Sequence, residues 1–272
     1  MLTYAIVVMA VIGAAFGLLL GFAGKKFHVE VDPRVTQVRN CLPGANCGGC
    51  GYPGCDGYAE AVVSGKAPAD ACKPGGPSAA ARIGEILGMA VDTKGDRLVA
   101  RLMCHGGGTC GNRATYRGIK TCKAAMLAGG GFRSCEYGCL GLGDCVKACQ
   151  FGAIQMSPEG MPVVDEEKCV ACGNCVKACP RGIIEVIPQS KPVYVACHST
   201  ATGAVTRKAC KIGCIACRLC VKACPAGAVC VDNNLSRRDY SKCIACGACV
   251  EKCPTKAVVD LRALACGKKA AS

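Results

Sequence analysis

Hydrophobic residues fill one long block at the start of the chain and then break into short pieces. Leu2 to Ala23, "LTYAIVVMAVIGAAFGLLLGFA", is 22 residues without a charge, and Lys25 and Lys26 follow at once. At about 1.5 Å per residue this makes about 33 Å of helix, enough for a hydrocarbon core of about 30 Å. No basic residue precedes the run, and it exceeds the about 7–15 apolar residues of a cleaved signal, so it predicts an anchor. The lysines behind it predict an outside N-terminus and a cytoplasmic remainder. Farther on, "DGYAEAVVSG" (Asp56 to Gly65) predicts a helix with Asp56 as its N-cap. "GIIEVI" (Gly182 to Ile187), "GAVCV" (Gly227 to Val231) and "KAVVDL" (Lys256 to Leu261) predict short strands, and "FGAI" (Phe151 to Ile154) begins another.

Each of these strand-like pieces follows a cysteine run. "CVACGNCVKACP" (Cys169 to Pro180), "CIACRLCVKACP" (Cys214 to Pro225) and "CIACGACVEKCP" (Cys243 to Pro254) share the spacing C-x2-C-x2-C-x3-C-P of bacterial ferredoxins. Three thiolates of such a run grip one [4Fe–4S] cluster, and the fourth ligates the neighbouring one, so the runs come in pairs. A fourth, altered run supplies Cys135, Cys139, Cys145 and Cys149, with Gln150 in place of Pro. The crossing rule then predicts Cys135, Cys139 and Cys145 with Cys179, and Cys169, Cys172 and Cys175 with Cys149. In the second pair it predicts Cys214, Cys217 and Cys220 with Cys253, and Cys243, Cys246 and Cys249 with Cys224. A larger duplication surrounds the runs. "VARLMCHGGGTC" (Val99 to Cys110) resembles "VYVACHSTATG" (Val193 to Gly203), and each continues through a further cysteine, Cys122 or Cys210. His105 and His198 in these segments are read as loop residues, because no second ligand spacing accompanies them.

Composition narrows the chemistry. The 272 residues include 28 Cys and 36 Gly but no Trp and only three His. Disulfides need an oxidising compartment and usually occur in shorter secreted domains. Zinc usually draws on His as well. Iron–sulfur clusters need thiolates alone. Outside the ferredoxin template, "LPGANCGGCGYPGCDGYAEAV" (Leu42 to Val62) offers Cys47, Cys50 and Cys55, with Cys72 behind. Gly48, Gly49 and Gly51 let backbone N–H groups approach cluster sulfides. An all-cysteine zinc site is the competing reading of these four.

The anchor, this glycine-rich cysteine stretch and the cysteine-rich second half together resemble the B subunits of the Rnf ion-translocating ferredoxin:NAD+ oxidoreductase family. The resemblance covers essentially the whole chain, with two ferredoxin modules where shorter members have one. It implies an inner-membrane, single-pass protein that takes electrons from reduced ferredoxin and passes them to membrane and flavin-bearing subunits. It also implies that Cys47, Cys50, Cys55 and Cys72 hold the family's first cluster. The expected architecture is α+β, with a transmembrane anchor over 1–26 and a small helical 4Fe–4S domain over 27–95. Two tandem dicluster ferredoxin-like modules follow, over 96–190 and 191–272. The expected cofactors are five [4Fe–4S] clusters. A sixth would have to draw on the cysteines left without a role: Cys41, Cys104, Cys110, Cys122, Cys197, Cys210, Cys230 and Cys266. An anchored polyferredoxin serving a hydrogenase or formate dehydrogenase is the alternative, and a zinc-stabilised scaffold is a second.

No phosphate-binding loop, nucleophile–base pair or flavin motif is present; the glycines of "GCLGLGD" (Gly138 to Asp144) belong to a cluster loop. A single helix without internal charge makes no ion path by itself. The net charge of +14 would suggest nucleic acid, but it counts cysteines as neutral. Five clusters at about −2 each leave roughly +4, so no nucleic-acid partner is expected. The surviving positive patches, "SRRDYSK" (Ser236 to Lys242) and "CKIGCIACR" (Cys210 to Arg218), are candidate docking sites for a soluble acidic ferredoxin.

Overall fold

A computed structural model describes residues 2–27, 32–91 and 95–263 of the chain; Cys266 lies outside them. The apolar block forms one helix, α1 (Leu2–Lys26), and none of Ile6–Lys26 is buried within the protein. That leaves its apolar surface for a bilayer, the solvent such a helix suits.

Three helices follow: α2 (Pro33–Cys41), α3 (Cys55–Val63) and α4 (Gly76–Leu87). Asp32 caps α2 by accepting the Arg34 N–H at 2.9 Å, with Pro33 in the first turn where its missing N–H costs nothing. The helices close on Val38, Tyr58 and Ile83, all fully buried. With so few large side chains, small residues such as Ala59 and Ala79 let the helices approach closely.

The rest of the chain repeats one plan twice. The first copy comprises β1 (Leu98–Leu102), α5 (Cys122–Leu127), α6 (Asp144–Lys147), β2 (Ile154–Met156), β3 (Pro162–Val164), α7 (Asn174–Ala178) and β4 (Ile184–Pro188). The second comprises β5 (Val193–Val195), α8 (Gly203–Ala209), α9 (Leu219–Lys222), β6 (Val229–Asp232), β7 (Leu235–Arg238), α10 (Ala248–Glu251) and β8 (Val258–Asp260). In each copy the first strand pairs antiparallel with the last, Leu102 opposite Ile184 and Val195 opposite Val258. The middle strands form the hairpins β2–β3 and β6–β7. The strands expected after each cysteine run are β2, β4, β6 and β8.

The two copies share a seam of Met103, Ile187, Tyr194 and Ala196. Arg101 is buried there, bonded to Glu166 at 3.0 Å and to the carbonyls of Gln189 and Lys191, with Tyr194 beneath its guanidinium. A buried guanidinium is tolerated only with its donors satisfied in this way.

Candidate metal centres

The cysteine loops hold an unusual backbone. Ala171, Ala216 and Ala245, at the same place in each C-x-A-C loop, all have φ near +55° (54, 56 and 54°). An L-residue in this region costs about 1–2 kcal/mol. Its recurrence in three loops marks strain retained where function requires the geometry. The residue that opens each short helix is also left-handed: Gly143, Gly173 and Gly247, but Arg218 at φ 61° in the third loop.

These loops set thiols around small apolar cavities. Cys47, Cys50, Cys55 and Cys72 line one within the helical unit. Cys149, Cys169, Cys172 and Cys175 line a second. Cys122, Cys139, Cys145 and Cys179 line a third. In the second copy, Cys220 has Cys214, Cys217 and Cys253 as its neighbouring thiols. Cys243 and Cys249 share the guanidinium of Arg238, at 3.3 and 3.0 Å. Cys149 and Cys179 thus each cross to the other loop's cavity, and Cys253 crosses likewise. A fourth cavity, on the seam, is lined by Cys104, Cys110, Cys135, Cys197 and Cys210.

The surroundings suit anionic sulfur. The N–H groups of Ala100, Ala153 and Ala228 donate to Cys169, Cys149 and Cys224 at 3.4, 3.3 and 3.3 Å. Arg238 also keeps its Nε buried without a protein partner, beside the Cys243 and Cys249 sulfurs. Among the described residues, no three His, Cys, Asp or Glu side chains are arranged to hold a single metal ion. Zinc–sulfur bonds of about 2.3 Å would draw four thiols much closer together than a cubane does. Sets of four thiols met by backbone N–H groups fit the thiolate-only ligation of [4Fe–4S] clusters. Burial pushes the thiols of Cys139 and Cys175 up to about 12 and Cys145 to about 11. Without metal these thiols keep their protons, and metal loading has to displace them, so low pH opposes it.

Several expectations need correction. Cys122, left without an assigned role, lines the cavity where Cys135 was expected, because α5 carries it to the Cys139 loop. Cys135 faces the seam instead. The counterpart of Cys210 is therefore Cys135, four residues before Cys139 as Cys210 is before Cys214, rather than Cys122. Asp56 is not an N-cap: Gly54 occupies that position and the Asn46 side chain accepts the Cys55 N–H at 2.8 Å, while Asp56 pairs with Arg39. The patch around Arg237 and Arg238 also dissolves, since Arg238 turns inward to cysteine and Arg237 faces Asp232 at 4.0 Å. His105 lies 3.3 Å from the Tyr194 hydroxyl, and burial holds its pKa below the usual value. Cys41 packs on the helical core, and Cys230 is exposed on β6.

Comparison with known proteins bears on these centres. Residues 42–74 match a family described as an Fe-S cluster, and residues 162–185 and 237–259 match "4Fe-4S binding domain". The chain is 45% identical to the B subunit of the Na(+)-translocating ferredoxin:NAD(+) oxidoreductase complex of Acetobacterium woodii, over 86% of this chain and 71% of that one. It is 46% identical to the proton-translocating counterpart of Clostridium ljungdahlii, over 87% and 84%. The B subunit of the ion-translocating oxidoreductase complex of Methanosarcina acetivorans is 44% identical, over 87% and 90%. The chain belongs to this family of B subunits. As a member it is the iron–sulfur electron-transfer component of an oxidoreductase complex, and α1 fits a membrane location. Near-equal identity to a sodium and a proton translocase means that overall similarity does not select the ion.

Proposed function

We propose that this B subunit is a cluster wire running from a ferredoxin-docking face on the second module to the helical unit beside the membrane. Clusters of the [4Fe–4S] type supply one-electron transfer without bond making. The protein's part is to hold them in sequence, exclude water and set their potentials. The cysteines that would hold them are Cys47, Cys50, Cys55 and Cys72; Cys149, Cys169, Cys172 and Cys175; Cys122, Cys139, Cys145 and Cys179; Cys214, Cys217, Cys220 and Cys253; and Cys224, Cys243, Cys246 and Cys249. The cytoplasmic side is where reduced ferredoxin would meet them, in line with the lysines after α1.

One observation carries the order. The helical unit docks its cysteine loop directly on the first module: Asn174 Nδ2 donates to the Cys47 carbonyl at 3.0 Å, and Gly49 lies so close to Cys172 that an added Cβ would meet its carbonyl oxygen at 2.7 Å. In the second module Cys217 and Cys246 are exposed. Around Cys246, Lys242 and Arg262 are paired with Asp239 and Asp260. In the chain on either side of Cys217, by contrast, Arg207, Lys208, Lys211, Arg218 and Lys222 are exposed and make no ion pair among the described residues. Leu219 and Val205 add exposed apolar surface there. Positive charge around an apolar centre suits an acidic protein partner, with the charges acting mainly on association rate.

The test is the second-order rate of reduction by ferredoxin at low and high salt, with Lys211→Glu/Arg218→Glu beside wild type. The wild-type rate falls with ionic strength, and the double variant is slower and less salt-dependent, as expected when screening acts beyond about 8 Å. A variant indistinguishable from wild type removes this face as the docking site.

A further inference from the structure

The seam cavity collects thiols that neither ferredoxin run uses. Cys104 stands two residues beyond the end of β1, and Cys197 two residues beyond the end of β5. Each accepts a backbone N–H from the first cysteine of the adjoining loop, Cys139 to Cys104 at 3.4 Å and Cys214 to Cys197 at 3.3 Å. Cys135 and Cys210 each stand four residues before those same cysteines. The duplicated plan therefore brings one strand-end thiol and one loop thiol from each module to a common cavity. Cys110, bridged in antiparallel fashion to Cys210, is the fifth thiol there and has no counterpart in the second module.

The five thiols line a cavity as those of the Cys139, Cys169 and Cys47 loops do. Backbone closes on it as it does on those. A Cβ at Gly106 would stand 3.5 Å from the Cys104 sulfur and 3.6 Å from the Cys210 sulfur. One at Gly138 would stand 3.5 Å from that of Cys135. No carboxylate lines the cavity, and all five cysteines are free thiols. His198 and Tyr137 also line the cavity, but the five thiols outnumber them, and thiols with N–H groups aimed at sulfur are the pattern of the other centres and of iron–sulfur ligation in general.

We propose that Cys104, Cys135, Cys197 and Cys210 hold a sixth [4Fe–4S] cluster on the seam between the modules. Its neighbours are the Cys139 and Cys214 centres, tied to it through the N–H···S contacts. It makes one wire of two ferredoxin modules that also meet through the apolar side chains of the seam, Arg101, and the N–H groups of His105 and Gly111 donating to the carbonyls of Ala196 and Ala209. This rests on reading the other centres as iron–sulfur.

The experiment is anaerobic purification of the full-length protein in its complex, with iron, zinc and labile sulfide counted per chain, for wild type, Cys104→Ser/Cys197→Ser and Cys110→Ser. Wild type holds about twenty-four irons, the double variant about twenty, and Cys110→Ser about twenty-four. In parallel, the spin count of fully reduced wild type gives six centres per chain without relying on any variant folding. About twenty irons and five spins in wild type overturn the sixth cluster and leave the wire reading intact. So does one zinc per chain that the double variant loses. Loss of four irons in Cys110→Ser overturns the quartet named here. Iron near eight or below overturns the five-centre reading and the sixth with it.

Discussion

Arg238 places a fixed positive charge on the thiols of one proposed centre. Its guanidinium touches the sulfurs of Cys243 and Cys249, and it is held within the protein rather than at the docking face. A fixed positive charge favours the more negative, reduced state of whatever those thiols hold, and partial burial weakens screening of the effect. Arg238→Gln should therefore lower the potential of that centre by about 60 mV, a tenfold change in a one-electron equilibrium. Arg238→Lys should lower it less, because the charge stays while the bidentate contact is lost. A redox titration followed by paramagnetic resonance measures both. An unchanged or raised potential in the glutamine variant would mean that Arg238 is structural only.

At the scale of elements, the short helix α5 brings Cys122 to the cavity of Cys139, Cys145 and Cys179. Thr121 accepts the Ala124 N–H at 3.2 Å and the Asp144 carboxylate accepts the Lys123 N–H at 3.0 Å. These two contacts fix the start of α5, and with it Cys122, against the Cys139–Cys145 loop. Cys122→Ala and Cys179→Ala should thus perturb the same paramagnetic signal. Cys135→Ala should perturb a different one. If Cys135→Ala reproduces the Cys179→Ala spectrum and Cys122→Ala is silent, the altered run closes on itself as its spacing suggests.

For the molecule as a whole, the proposed wire passes toward the membrane through the contact between the helical unit and the first module. Gly49→Ala would put a Cβ 2.7 Å from the Cys172 carbonyl oxygen and 3.2 Å from its Cα, both backbone atoms that cannot swing aside. The two units must then separate slightly. Electron transfer out of the complex should slow in this variant, while reduction of the outer centres by ferredoxin keeps its wild-type rate. Stopped-flow spectra of the complex separate the two phases. A slowed first phase would place the defect elsewhere.

The sequence by itself determined the long apolar helix, the three regular ferredoxin runs and the strand after each, because these depend on patterns local to one stretch of chain. The same local logic marked Cys47, Cys50, Cys55 and Cys72, and the motifs it exposed carried the family resemblance that the known relatives bear out. Only tertiary structure brought Cys122 beside the altered run. Cys122 lies 17 residues before Cys139, and nothing in that separation says that α5 folds back onto the loop. Tertiary structure also turned Arg238 away from solvent, since a β-strand alternates its faces and Arg237 and Arg238 cannot share one. The seam cavity was the least legible of all. Its thiols come from four separate segments between Cys104 and Cys210, and each looks solitary along the chain. They meet because a duplicated fold, packed against its own copy across Tyr194 and Arg101, brings equivalent positions together, a relation that exists in space and has no local signature.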